Sequence, residues 1–243
     1  MIVLGRCGTV AAMRPRIILV TDPAFGDDAT VRCIEAAAQA LPNGWLCVQL
    51  RDKGRPSASL RVFGSRLRLV TRAVGASLVL NGRAEIGRDV GAEGVHLGTG
   101  ASTVDRARSA FGRPAWISVA AHSDEEVQRA VTDGADAVLV SPIFASRPPS
   151  VMAPAKAPRG LDAVQSARAI AEMAVAQGRG QLRQRCAVYA LGGIGPDNAR
   201  ACLRAGADGI AVLRSLLGSA RPSDAARRLG EAFVALGSAY PLP

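Results

Sequence analysis

Gly206-Ala207-Asp208-Gly209-Ile210 ends a helix-like stretch and opens a short β-branched run, and the device recurs as Gly91-Ala92-Glu93-Gly94-Val95 and Gly134-Ala135-Asp136-Ala137-Val138. The first glycine suits the left-handed position that closes a helix, and the acid begins the turn into a strand. Outward from these anchors, strand-like runs fall at 16–21, 45–50, 77–80, 94–97, 115–120, 137–140, 187–191 and 209–213. Helix-like stretches at 29–41, 60–74, 103–111, 124–131, 161–177, 196–204 and 222–236 separate or follow them. Strands this short and apolar on both faces predict a parallel sheet covered by helices. Eight strand–helix units in roughly 230 residues match the size of a single (β/α)8 TIM barrel, an α/β fold. Residues 1–14 read as an N-terminal extension and 15–243 as the barrel domain, because Met13 stands just before the first strand-like run. The start, Met1 to Met13, has one early Arg among small apolar residues and reads as an upstream extension rather than a signal peptide.

Composition narrows the function classes. Of 243 residues, 49% are hydrophobic, which excludes a disordered chain. No run reaches the roughly 18 uncharged apolar residues of a membrane span. Cys7, Cys33, Cys47, Cys186 and Cys202 show no CxxC spacing, so neither a disulfide framework nor a zinc site is expected, and a reducing, cytoplasmic compartment fits. The formal charge of +10 calls for an anionic partner. A nucleic-acid groove is not the expected one, since no aromatic interleaving or nucleic-acid motif accompanies the arginines of 61–72.

Barrel sites are built from the C-terminal ends of the strands and the loops after them. At the second strand Gln49, Arg51 and Lys53 alternate, so all three share one face if the strand continues that far. Two cations and an amide make a polyanion clamp, with Arg as a fork and Lys as a point charge. Of 30 cationic residues only Lys53 and Lys156 are lysine, so Lys53 marks a place where an ammonium is wanted. After the seventh strand, Gly192 and Gly193 precede a stretch read as a helix from Pro196, a second anion site built on bare backbone N–H groups; Arg214 adds charge beside it. His96 reads equally as a packed barrel residue or a catalyst, and His122 as part of a helix cap. The proline-rich 144–160 connection after the sixth strand has the length of a lid.

The ordered blocks Val48-Gln49-Leu50-Arg51-Asp52-Lys53-Gly54, Leu80-Asn81, Val95-His96-Leu97-Gly98, Ala121-His122-Ser123, Ser141-Pro142-Ile143-Phe144 and Leu191-Gly192-Gly193-Ile194 resemble the thiamine phosphate synthase/TenI family over roughly 16–217. The resemblance implies an enzyme of thiamine biosynthesis acting on a pyrimidine pyrophosphate and a thiazole phosphate, assisted by magnesium. It also implies that Gln49, Arg51, Lys53 and Asn81 contact the pyrimidine pyrophosphate, and that Gly193 and its neighbours cradle the thiazole phosphate. Small-molecule phosphates and pyrophosphates are then the expected partners, with no nucleic acid and no membrane; a homodimer is the expected assembly.

This chain departs from the family pattern at marked places. Gly82 stands where similar synthases put a magnesium-binding Asp, and Ala101 where they put a second. Ala120 replaces an expected serine. The family's lysine after Pro-Ile-Phe has no aligned counterpart, and Lys156 is the candidate substitute. Magnesium is therefore a cofactor of the family whose ligands are absent here, and Arg51, Lys53 and Lys156 are the expected catalytic cations. The alternative is a TenI-like paralogue, a thiazole tautomerase or a non-catalytic phosphate binder. The histidine that branch uses after the sixth strand is Pro142 here.

Overall fold

The computed structural model describes residues 13–98, 102–112, 114–145, 157–177 and 185–237. Eight parallel strands close into a barrel in sequential order. They are β1 (Ile17–Val20), β2 (Leu46–Leu50), β3 (Ser77–Asn81), β4 (Gly94–Leu97), β5 (Trp116–Ala121), β6 (Ala137–Val140), β7 (Ala187–Leu191) and β8 (Gly209–Val212). The intervening helices are α1 (Asp27–Gln39), α2 (Ser57–Ala73), α3 (Ala84–Asp89), α4 (Val104–Phe111), α5 (Asp124–Thr132), α6 (Asp162–Ala176) and α7 (Ala199–Arg204). A short α8 (Arg214–Leu217) and α9 (Pro222–Val234) follow β8. The (β/α)8 expectation holds; the six-residue α3 and four-residue α8 were not anticipated, being too short for a helical period to show.

The period of two divides the strands into two apolar layers. Ile17, Leu19, Val48, Leu78, Leu80, Val95, Val138 and Val188 face the helices in one cluster. Ile18, Val20, Cys47, Val79, Trp116, Leu139 and Tyr189 form a second, separate cluster in the lumen. Tyr189 is 1% exposed and donates its hydroxyl to the Pro15 carbonyl at 2.7 Å, tying the segment before β1 to the N-terminal end of the barrel. Four free cysteines are buried, and burial raises the thiols of Cys33 and Cys202 to about 11, so neither is a nucleophile at neutral pH. Cys7 lies outside the described residues.

The recurring Gly-Ala-acid device does more than turn the chain. Glu93 accepts the Leu78 N–H at 2.8 Å, Asp136 that of Ile117 at 2.7 Å and Asp208 that of Val188 at 2.8 Å, so each acid holds the start of the preceding strand. Each is also paired with an arginine of an even-numbered helix: Arg68 of α2 with Glu93, Arg108 of α4 with Asp136, and Arg168 of α6 with Asp208. The device thus clamps alternate units at the end of the barrel away from the strand C-termini. No helix among the described residues is long and apolar enough to cross a membrane.

Candidate active site

At the C-terminal mouth the lumen changes from apolar to polar. The inward parity that places Cys47, Val79 and Trp116 in the lumen continues to Gln49, Asn81, His96 and Ser118 one step higher. Gln49 is 3% exposed and donates from Nε2 to Asn81 Oδ1 at 3.1 Å, while its Oε1 is buried with no hydrogen-bond partner. An amide acceptor held out of water without a donor costs about 1–3 kcal/mol. His96 Nδ1 lies 2.9 Å from Ser118 Oγ. Burial, with the charges of Arg51 and His122 adding to it, pushes the His96 imidazole down to about 4, so the ring is neutral at pH 7. At the next strand end His122 Nδ1 lies 2.8 Å from the Ser141 carbonyl, and Ser123 caps α5 through the Glu126 N–H.

The shared face expected for Gln49, Arg51 and Lys53 does not extend to Lys53. β2 stops at Leu50, because Asp52 Oδ1 accepts the Arg55 N–H at 3.1 Å and bends the chain into a turn ahead of Pro56. Arg51 stays near the lumen, half-buried, its N–H donating to Thr21 Oγ1 at 2.9 Å. Lys53 is exposed on the turn. Neither side chain has an ion-pair partner among the described residues.

The glycine loop after β7 also differs in part. Gly192 and Gly193 have φ of +103° and +65°, and a Cβ on Gly193 would lie 2.6 Å from the Ala145 carbonyl oxygen. The pair therefore lets the loop press against the strip after β6, where Ile143 donates to Leu191 O at 2.9 Å and Phe144 to Gly192 O at 3.0 Å. The helix expected from Pro196 begins instead at Ala199. Asn198 delays it by accepting the Gly195 N–H at 2.9 Å and donating to Gly193 O at 2.9 Å. The Gly193 and Ile194 N–H groups find no acceptor among the described residues. Arg214 heads α8 with an exposed side chain, and the neighbouring Ser215 Oγ is buried without a partner.

Lys156, Ala101 and most of the 144–160 connection lie outside the described residues. At the end of that connection is a group the sequence did not single out, Arg159. Its N–H donates to the Pro142 carbonyl at 2.8 Å, Nη2 reaches Asp124 at 2.7 Å, and Nη1 is buried without a partner. Nothing in the linear pattern separates it from the chain's many surface arginines.

A family model described as thiamine monophosphate synthase matches residues 17–216. The chain belongs to that family. It is 34% identical to the thiamine-phosphate synthase of Methanoregula boonei over 94% of this chain and 97% of the relative. It is 33% identical to that of Moorella thermoacetica over 82% of this chain and 87% of the relative. Among solved structures, the thiamine phosphate pyrophosphorylase of Pyrococcus furiosus superposes with a TM-score of 0.74 at 24% identity, covering 93% of this chain and 99% of its own, which shows the shared fold. Family membership makes the chain an enzyme of thiamine biosynthesis and agrees with the sequence expectation.

The magnesium that the resemblance implies does not fit the donors among the described residues. No group of three His, Cys, Asp or Glu among the described residues could hold a metal ion. Gly82 sits at the mouth with φ +76° and nothing within 4 Å of where a side chain would begin. The oxygens a hard cation requires are missing at that point.

Proposed function

We propose that the protein joins hydroxymethylpyrimidine pyrophosphate to thiazole phosphate, releasing pyrophosphate and forming thiamin phosphate. The observation that carries this is the Gln49–Asn81 pair with Gln49 Oε1 held buried and unpartnered. An exocyclic amine of a pyrimidine supplies the missing donor, and Asn81 fixes which end of the Gln49 amide faces it. With the ring there, Arg51, half-buried two residues beyond Gln49, supplies a guanidinium for the pyrophosphate and Lys53 stands on the turn beyond. The C–O bond to pyrophosphate breaks with its electron pair leaving on oxygen, and Arg51 and Lys53 stabilise that charge. The thiazole nitrogen then donates its lone pair to the pyrimidine methylene carbon, forming the C–N bond without proton transfer. Neutral His96 beneath the ring adds no positive charge that would oppose the cationic methylene.

The thiazole phosphate is assigned to the Gly193–Ile194 loop, with Ser215 and Arg214 at its edge; unclaimed N–H groups at Gly193 and Ile194 support this. We assign small-molecule phosphates as the partners and the cytoplasm as the compartment. A tautomerase role is not favoured, since Pro142 stands at the position of that branch's histidine. Purified protein incubated with both substrates decides the matter, with thiamin phosphate detected by oxidation to its fluorescent thiochrome. Product is expected to accumulate with time and enzyme; none at high enzyme concentration would overturn the assignment.

A further inference from the structure

The charge balance at the mouth points in an unexpected direction. Between each strand end and the following helix, the only carboxylates in the chain are Asp22, Asp52 and Asp197, counting every residue by sequence. Asp22 accepts the Ala24 N–H at 3.1 Å, Asp52 is held by Arg55 at 2.8 Å, and Asp197 pairs with Arg228 at 2.6 Å on the outer surface. Asp124, the first acid of α5, is taken by Arg159. Three cations of these loops are in the opposite condition. Arg51 and Lys53 have no side-chain partner among the described residues, and Arg83, next to Gly82, donates only to the neutral Ser57 Oγ at 2.8 Å. That bond turns Arg83 toward the start of α2, just after the loop that carries Lys53. Arg51 lies close enough to the buried His96 for its charge to add to the burial that keeps that ring neutral.

We propose that the pyrophosphate half of this site works without a divalent cation, with Arg51, Lys53 and Arg83 meeting the charge that metal-bound carboxylates would otherwise organise. This deepens the synthase reading and rests on it for the location of the pyrophosphate. A magnesium ion brought in by pyrophosphate would meet Gly82 and Ala101 in place of carboxylates, and three cations without an ion-pair partner among the described residues, whose repulsion disfavours it. Fixed cations need no such partner and stabilise the departing anion directly.

Calorimetric titration with inorganic pyrophosphate tests this, in EDTA and in excess magnesium. Binding in EDTA that magnesium leaves unchanged or weakens is expected. Tightening by more than twofold, or no binding in EDTA at millimolar pyrophosphate, overturns the proposal. Arg83→Met is expected to weaken binding at least fivefold in EDTA with the thermal unfolding midpoint retained; unchanged binding removes Arg83 from the set. The double variant Gly82→Asp, Ala101→Asp is expected to bind pyrophosphate at least tenfold tighter with magnesium than without. A folded double variant indifferent to magnesium would also count against the argument, since the lost carboxylates would not be what sets the behaviour. The turnover assay separates the two readings. Product formed only with magnesium overturns this inference and keeps the synthase; pyrophosphate bound in EDTA without product does the reverse.

Discussion

Gln49 Nε2 donates to Asn81 Oδ1 at 3.1 Å across the β2–β3 boundary, which leaves Gln49 Oε1 buried and without a partner at the base of the mouth. One hydrogen bond thus orients two side chains and fixes the polarity of the surface that a ligand meets. Gln49→Leu keeps the volume roughly constant but removes both the Oε1 acceptor and the Nε2 group that donates to Asn81 Oδ1. Losing a ligand hydrogen bond worth about 1–3 kcal/mol corresponds to a kcat/KM loss of about ten- to hundredfold. Thiochrome kinetics with the pyrimidine substrate varied would measure it; an unchanged kcat/KM would remove Gln49 from the site.

His96 gives the fold a defined acid sensitivity. Its pKa falls from 6.5 to about 4 on folding, so between those values the unfolded chain binds the extra proton. Stability is therefore fully present above about pH 6.5 and declines as pH falls toward 4, by about 2 kcal/mol at pH 4.5. Urea unfolding at pH 7 and pH 4.5 should show this decline in the wild type and a smaller one in His96→Gln. Equal declines in both would show that another group is responsible.

Gly193→Ala should be far worse than a helix-surface substitution. Its Cβ would meet the Ala145 carbonyl oxygen at 2.6 Å and Phe144 Cβ at 2.8 Å, at a backbone φ of +65°. Pushing the β7 loop off the β6 strip costs about 1–3 kcal/mol and displaces the N–H groups assigned to thiazole phosphate. The KM for thiazole phosphate is expected to rise at least tenfold while pyrophosphate binding at the β2–β3 side changes little. Parallel loss of both would mean that the loop supports the whole mouth.

Asp136→Ala should destabilise the barrel by about 2 kcal/mol or more, because it strips the Ile117 N–H and Arg108 of a shared acceptor. Asp133→Ala, three residues earlier at the end of α5, serves as the control and should cost a few tenths of a kcal/mol. Thermal unfolding of the two variants distinguishes an acid that holds the neighbouring strand from one that ends a helix.

The succession of strands was legible because each apolar run is short and each joint carries glycine or an acid. These are local signals that need no knowledge of neighbours. What Glu93, Asp136 and Asp208 hold was not legible, since each bonded N–H lies 15 to 20 residues earlier in the chain. The end of β2 was misjudged for a related reason. The alternation of Gln49, Arg51 and Lys53 is a valid strand pattern, but the Asp52 side chain competes for the backbone and turns the chain after Leu50. Asn198 postponed the helix expected at Pro196 by the same kind of side-chain competition.

By itself the sequence determined the eightfold alternation, the lack of carboxylates at positions 82 and 101, and the charge types available at the mouth. Those depend on residue identity and short-range spacing alone. Only the tertiary structure decided which of those charges are free. Arg55, Arg159 and Arg228 look no different in the chain from Arg51, yet barrel closure brings each of them against an acid, and leaves Arg51 and Lys53 with no ion-pair partner among the described residues. An ion pair depends on distances of a few ångströms between residues far apart in sequence, and closure of the barrel is what sets them.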